Sequence, residues 1–298
     1  MTSANIFDIK RFGINDGEGI RTVFFLKGCP LRCAWCQNPE GLQPDIKLWY
    51  ARHRCVSCKA CVAACPEGAV AFDEKGVSID DDKCTLCGLC VKACPTGALR
   101  FDAVRMTVEE ALREVEKDRV FYEASGGGVT LSGGECTMSP AFSLELLAAC
   151  KALGVNTAIE TCLQVPTETL KAFLPVTDRV IADVKLADPA LHKAYTGADN
   201  ALILRNLRML AESESDLLLR VPLIPGFTMA EENVRAIGEL IAALPRKVPV
   251  ELINYNPMCR EKYEALRKTY PVSDTSPLDR SRMARFREIL IGLGLDIQ

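Results

Sequence analysis

Apolar positions along the chain follow two rhythms. Short runs rich in β-branched and aliphatic residues occur at 21–27 (RTVFFLK), 128–131 (GVTL), 155–160 (VNTAIE), 179–184 (RVIADV), 216–222 (DLLLRVP) and 249–254 (PVELIN), and they read as strands. Between them the spacing changes to three, four and seven. Val108, Ala111, Leu112 and Val115 form one such set, Val234, Ile237 and Ile241 a second, and Met283, Phe286, Leu290 and Leu293 a third. Each predicts a helix with one buried stripe. Strands alternating with helices imply an α/β fold with a parallel sheet or an incomplete barrel. In such folds ligands gather at the carboxyl ends of the strands.

The alternation breaks between about residues 47 and 103, where the chain repeats itself. CPEGAVAFD from Cys65 lines up with CPTGALRFD from Cys94 at an offset of 29 residues. Each Cys-Pro ends a loop, and each G-A-[VL]-x-F-D reads as a turn into a short strand. The expected division is therefore 1–46 with 104–298 as the large unit and 47–103 as an insert.

Composition narrows the function classes. With 298 residues, 48% hydrophobic and 25% charged, the chain can bury a sizeable core. A net charge of −3 and a pI near 5.7 supply no broad basic field for nucleic acid and no polybasic membrane anchor. The start, MTSANIFDIKRFGIN, has no apolar signal core, and no run approaches the ~20 apolar residues of a membrane span. The expected compartment is the cytosol, where thiols stay reduced. Fifteen cysteines then point to metal rather than disulfides.

Eleven of those cysteines fall in three groups. Cys29, Cys33 and Cys36 read C-x3-C-x2-C inside GCPLRCAWCQNPE, directly after the first predicted parallel strand. Cys55, Cys58, Cys61 and Cys65, and again Cys84, Cys87, Cys90 and Cys94, read C-x2-C-x2-C-x3-C-P, the run of bacterial ferredoxins. Zinc is the competing reading of C-x2-C pairs, but zinc ribbons use two pairs rather than triplets followed by Cys-Pro. In ferredoxin modules the fourth cysteine usually serves the other cluster, which predicts one set of Cys55, Cys58, Cys61 and Cys94 and another of Cys84, Cys87, Cys90 and Cys65. Three thiolates on a [4Fe–4S] cube leave one iron for a substrate. Three such clusters are expected in all.

The cysteine triplet with an aromatic at Trp35 resembles the signature of radical S-adenosylmethionine enzymes. Together with INDGEGIRT and SGGGVTLSGGE, the chain from about residue 5 to 270 resembles the activating enzymes of glycyl radical enzymes that carry a two-cluster ferredoxin insert. The resemblance implies an incomplete (β/α)6 barrel with an inserted bacterial ferredoxin-like domain. It implies S-adenosylmethionine chelated to the open iron and cleaved reductively to methionine and a 5′-deoxyadenosyl radical. That radical would take a hydrogen from a backbone glycine of a partner glycyl radical enzyme, with flavodoxin or ferredoxin as electron donor. Relatives of this layout serve lyases, dehydratases and decarboxylases, and the sequence does not select among them.

Residue by residue, the resemblance assigns Gly133, Gly134 and Glu135 to the methionyl ammonium. It assigns Asp183 and Lys185, which share one strand face, to the ribose or ammonium and to a carboxylate. Arg220 would meet the methionyl carboxylate as a planar fork. Trp35 would cover the cluster or simply fill core, and Asp16 would lie near the partner's glycine loop. Three departures stand out. Cys136 replaces a proline, Glu18 replaces another, and Asn256 stands where relatives carry histidine, so a polar contact survives there but a proton-transfer role does not. Glu160 and Thr161 match a position where some relatives bind a monovalent cation. Outside the groups, Cys150 reads as core and His53 and His192 as surface, while Cys162 and Cys259 have no assignment. Two alternatives stay open: a radical enzyme acting on a small molecule or peptide, and a ferredoxin-type electron carrier.

Overall fold

The computed structural model describes residues 2–272 and 276–298. In chain order its strands are β1 (Ser3–Gly13), β2 (Arg21–Leu26), β3 (Leu48–Tyr50), β4 (Val70–Asp73), β5 (Gly76–Ile79), β6 (Leu99–Phe101), β7 (Val104–Thr107), β8 (Gly128–Gly133), β9 (Asn156–Thr161), β10 (Arg179–Asp183), β11 (Asp216–Leu223) and β12 (Val250–Asn254). The main sheet has eight strands in the order β12-β11-β10-β9-β8-β2-β1-β7. β2, β8, β9, β10, β11 and β12 run parallel, as their apolar runs predicted. β1 and β7 are additional and antiparallel. β1 escapes the pattern because most of its outer half is exposed, and β7 because it is four residues long and half-exposed.

Register matters more than strand count for the site. Leu26 stands opposite Gly133, Asp183 opposite Arg220, and Arg220 opposite Glu251, so the carboxyl ends of these strands finish nearly level. At the opposite end Arg21 is 1% exposed and fills the inner face, donating to Thr130 Oγ1 at 2.7 Å and Asn156 Oδ1 at 2.9 Å. Burial pulls its pKa down to about 10.

Helices cover the outer face with the stripes that the sequence predicts. Val108, Ala111 and Val115 are buried on Val108–Glu116, a helix opened by a capping box between Thr107 and Glu110. Val234, Ile237 and Ile241 are buried on Glu231–Ala242, and Phe286 and Leu290 on Arg280–Gly292. Leu293 falls just past that last helix. Cys150 is fully buried on Pro140–Ala152. Residues expected as surface divide: His53 is exposed, but His192 is 1% exposed and belongs to the interior. Its Nδ1 meets Ala198 O at 2.6 Å and Thr196 Oγ1 at 2.9 Å, while its Nε2 is buried without a partner, so one local anchor holds a ring that polar counting alone would place outside.

The segment from Leu48 to Phe101 forms two small antiparallel pairs, β3 with β6 and β4 with β5. It has an apolar core of its own, built on Leu48, Tyr50, Val70, Val77, Ala98 and Leu99 with Cys61 and Cys90. One ion pair fastens it to the sheet. Lys27 Nζ meets Asp102 Oδ2 at 2.6 Å with both side chains 1% exposed, and Asp102 Oδ1 accepts from Lys47 N at 2.8 Å. Both ends of the segment are thereby tied to the residue that precedes the first cysteine loop.

Candidate functional site

The loop after β2 turns at Gly28, whose φ of +97° suits glycine. It is then clamped from below. Arg32 N donates to Thr196 O at 2.7 Å and Ala34 N to Tyr195 O at 2.9 Å, both at the end of the helix Pro189–Thr196 that His192 stiffens. This arrangement turns Cys29, Cys33 and Cys36 toward one cavity of about 310 Å³ at the carboxyl ends of the parallel strands. Its other walls include Gly133, Gly134, Glu160, Asp183, Lys185, Arg220 and Asn256. The sequence scatters these residues across more than 220 positions; the level strand ends bring them together.

Burial pushes the Cys33 thiol up to about 11 and raises Cys36 as well. Bare thiolates are therefore disfavoured here unless a metal centre offsets the loss of water. Cys162, at the end of β9, is buried and lines the same cavity. Its hydrogen bond with the Cys29 thiol holds Cys29 below the ordinary thiol value and, with burial, pushes Cys162 well above it. Cys136 is also buried, with its Sγ 3.5 Å from Glu160 O, and Cys259 packs in the apolar cluster around Trp35 and Tyr255.

The glycine pair is required by packing. A Cβ at Gly133 would stand 2.3 Å from Leu26 N, and one at Gly134 would stand 2.3 Å from Gly41 O and 2.4 Å from Gly28 O. The turn thus presses backbone to backbone against the cysteine loop. Glu135 behaves differently from its neighbours. Its carboxylate is 1% exposed and takes Thr137 N at 3.2 Å, Thr137 Oγ1 at 2.7 Å, Thr161 Oγ1 at 3.1 Å and Cys162 N at 2.7 Å. Four donors hold it in the wall, tying β8 to β9.

Lys185 Nζ meets Asp183 Oδ2 at 2.6 Å on the cavity wall. Burial works against the ammonium, but the carboxylate of Asp183 more than offsets it and raises the Lys185 pKa. Arg220 is engaged on every side: Nε donates to Glu251 at 2.8 Å, and its terminal nitrogens meet Glu160 and the carbonyl of Asn15. Burial lowers and Glu160 raises its pKa, and the net direction is up. Glu160 also accepts from Ser132 Oγ, and burial lifts its pKa to about 6 against the pull of Arg220. Asn256 sits at the exposed rim, capping Pro257–Cys259 through Met258 N at 3.0 Å. Trp35 is 4% exposed and packs on Phe227 at 5.4 Å between ring centres, so it serves the apolar cluster and lines the cavity at once. Asp16 lies outside the lining, and its buried Oδ2 has no hydrogen-bond partner, with Lys10 Nζ 3.6 Å away. Glu251, Asn15 and Ser132 are network members that sequence reading passed over. Glu251 was detectable, since it faces Arg220 across one strand pair.

The other eight cysteines surround two small cavities in the segment 48–101. Cys55, Cys58, Cys61 and Cys94 line one, and Cys84, Cys87, Cys90 and Cys65 line the other. Cys58 and Cys87 are exposed, Cys61 and Cys90 buried. Among the described residues, no three His, Cys, Asp or Glu side chains converge on a single-ion site.

Comparison with known proteins now bears on this geometry. The model of the Radical SAM superfamily matches residues 23–236. The chain is 46% identical over 272 residues to the (2S)-3-sulfopropanediol sulfolyase activating enzyme of Bilophila wadsworthia, covering 89% of each chain. It is 40% identical over 288 residues to the choline trimethylamine-lyase activating enzyme of Oleidesulfovibrio alaskensis, covering 95% of this chain and 93% of that one. This chain belongs to the radical SAM superfamily, among the activating enzymes of glycyl radical enzymes. The crystal structure of Streptococcus suis SuiB bound to precursor peptide SuiA shares the fold, with a TM-score of 0.53, 11% identity, and coverage of 92% of this chain and 47% of that one. Membership in the radical SAM superfamily implies a [4Fe–4S] cluster and S-adenosylmethionine. Three partly buried cysteines facing a roomy cavity fit that donor set. No helix among the described residues is long and apolar enough to cross a membrane.

Proposed function

We propose that this radical SAM chain activates a partner glycyl radical enzyme, and that the observation carrying this reading is the single cavity shared by the cysteine triplet and the strand-end polar groups. Cys29, Cys33 and Cys36 would hold three irons of the cluster and leave the fourth facing the cavity. With S-adenosylmethionine bound, the reduced cluster would supply the one electron that splits it into methionine and a 5′-deoxyadenosyl radical, and that radical would take a hydrogen from a glycine of the partner, leaving as 5′-deoxyadenosine. The chain's own residues orient the ligand. Gly133 and Gly134 admit backbone to the methionyl group, and Lys185 with Asp183 offers a cation and an anion on one wall. Arg220 contributes its charge to that wall while Glu160 and Glu251 hold its plane. Glu135 acts as a positioning residue, since its four donors leave it no lone pair aimed at the cavity. Trp35 closes the apolar side, Asn256 offers a rim amide, and Asp16, paired at 3.6 Å with Lys10 and next in sequence to the Asn15 that meets Arg220, would face the approach of the partner's glycine loop.

Residues 47–103 form, in this reading, a ferredoxin-like insert on an incomplete (β/α)6 barrel made of 1–46 and 104–298. The support is the pair of cavities, each walled by three cysteines of one run and the last cysteine of the other. A cube meets four thiolates at four corners, whereas tetrahedral zinc needs them on one ion. Three clusters in total follow, with flavodoxin or ferredoxin as the electron source. The relatives' names span sulfopropanediol, choline, isethionate and indoleacetate enzymes, so the partner is a lyase, dehydratase or decarboxylase of this glycyl radical group.

The test is anaerobic reconstitution with dithionite and S-adenosylmethionine in the presence of a co-encoded glycyl radical enzyme. Release of 5′-deoxyadenosine together with a glycyl doublet in electron paramagnetic resonance is expected. Release of 5′-deoxyadenosine without a doublet would point to a small-molecule or peptide substrate. No release would leave an electron carrier.

A further inference from the structure

The two halves of the repeat agree at their cysteines and disagree in charge just before them. At the 29-residue offset, Arg52-His53-Arg54 ahead of Cys55 corresponds to Asp81-Asp82-Lys83 ahead of Cys84. The structure puts the two approaches to different uses. Asp81 lies 3.7 Å from both Lys47 Nζ and Arg267 Nη2, so the acidic half is tied back into the chain. The basic half has no such tether. Arg52 donates only to the carbonyls of Glu74 and Lys75, and Arg100 stacks over Trp49 at 5.1 Å. Among the described residues, Arg52, Arg54, Lys75 and Arg100 have no carboxylate within ion-pair distance.

These four cations, with one carboxylate, Asp73, among them, form one wall of a groove of about 1230 Å³ between the segment 48–101 and the helix Arg260–Ala265; Asp73 Oδ1 accepts from Lys75 N at 2.7 Å, and the wall stays net basic. The facing wall presents Glu261 and Glu264, while its cations are engaged elsewhere, Lys262 by Glu40 at 2.7 Å and Arg267 by Asp81. A basic wall opposite an acidic one, on a chain of net charge −3, confines an anionic partner to the insert side. That side adjoins a cysteine cavity. Tyr50 and Val77 line both the groove and the cavity of Cys55, Cys58, Cys61 and Cys94.

We propose that this basic wall docks a small acidic electron-carrier protein beside the Cys55 half of the insert, so that the near-symmetric module has one entry face. The proposal rests on the reading of residues 47–103 as a cluster-bearing insert. Charged rims act mainly on encounter rate and salt dependence, and this sets what the test should read.

The test measures binding of flavodoxin to the full-length reconstituted protein by titration at low and moderate salt. Arg54 and Lys75 are exposed and lie outside the assigned binding machinery, so the double variant Arg54→Glu with Lys75→Glu keeps the fold. It is expected to weaken flavodoxin binding about tenfold at low salt and to flatten its salt dependence. Asp82→Lys, on the mirror face, is expected to leave binding unchanged. Equal affinity of wild type and the double variant, or an equal loss from Asp82→Lys, would overturn the assignment. Dithionite-driven release of 5′-deoxyadenosine is measured alongside in all three proteins. Its absence from wild type would count against the activase reading, whereas its persistence with unchanged binding would count against the docking face alone.

Discussion

The loop after β2 and the loops of the segment 48–101 use the same ligand type to opposite ends. The first puts three thiols on one wall of a cavity of about 310 Å³ and leaves the other walls to glycine, carboxylate, lysine and arginine. The second puts four thiols around each of two tight cavities and leaves almost no space beside them. Room beside a metal centre permits a ligand; on the proposed reading, closure by four thiols would leave the centres of the segment 48–101 electron transfer alone. The difference lies in the scaffold as much as in the count of cysteines. Level ends of parallel strands create an open mouth, whereas short antiparallel pairs fold over their own loops.

The sharpest way to break this contrast is to remove one thiol from each kind of loop. Cys33→Ala is expected to lose roughly a third of the bound iron and all release of 5′-deoxyadenosine with any reductant. Cys58→Ala should keep dithionite-driven release and lose most of the flavodoxin-driven rate. Equal losses with both reductants for Cys58→Ala would make the insert structural, and the comparison would then be one of packing rather than chemistry.

The next effect concerns how the two regions are joined. Lys27 and Asp102 are both buried, and removing one leaves the other charged and unpaired. Lys27→Met is expected to cost about 3–5 kcal/mol in denaturant unfolding of the apoprotein, and Lys27→Met with Asp102→Leu to recover most of it. No recovery in the double variant would mean that the Asp102 contact with Lys47 N, rather than the ion pair, fastens the insert.

Much of this architecture was legible in the sequence, and the exceptions share a physical cause. The six parallel strands showed themselves because strands buried on both faces are continuously apolar. The crossed cysteine sets were an expectation from the ferredoxin-type run, and the two small cavities of the segment 48–101 are lined in that grouping. β1 was missed because most of its outer half is exposed, and His192 was misread because a ring buried through one nitrogen held by Thr196 and Ala198 looks like any other polar residue in a string. The strand-end motifs located the cavity but not the hydrogen bonds within it. Glu135 appears in a ligand motif, yet its partners Thr161 and Cys162 lie more than 25 residues away on another strand. Arg220 was read as a free fork, and Asn15, Glu160 and Glu251 fill it. Long-range satisfaction of a buried charge is a property of the fold, invisible to spacing.

The smallest expected effect tests whether the glycine pair serves closeness or flexibility. Gly28 O accepts from Glu135 N at 2.7 Å, and Gly28 N donates to Gly41 O at 2.8 Å, so three backbone segments meet at Gly134 with no side chain between them. A methyl group there meets two carbonyl oxygens that cannot swing aside. Gly134→Ala is therefore expected to cost about 1–3 kcal/mol in unfolding, as overpacking does, and to raise the KM for S-adenosylmethionine more than it lowers kcat. Gly292→Ala provides the control, because nothing lies within 4 Å of its added Cβ in the last turn of the helix Arg280–Gly292. That change should stabilise by about 0.4–1 kcal/mol through the unfolded chain and leave KM alone. If Gly134→Ala behaved like Gly292→Ala, the turn after β8 would have slack, and the closeness of the cysteine loop to β8 would no longer explain why glycine stands there.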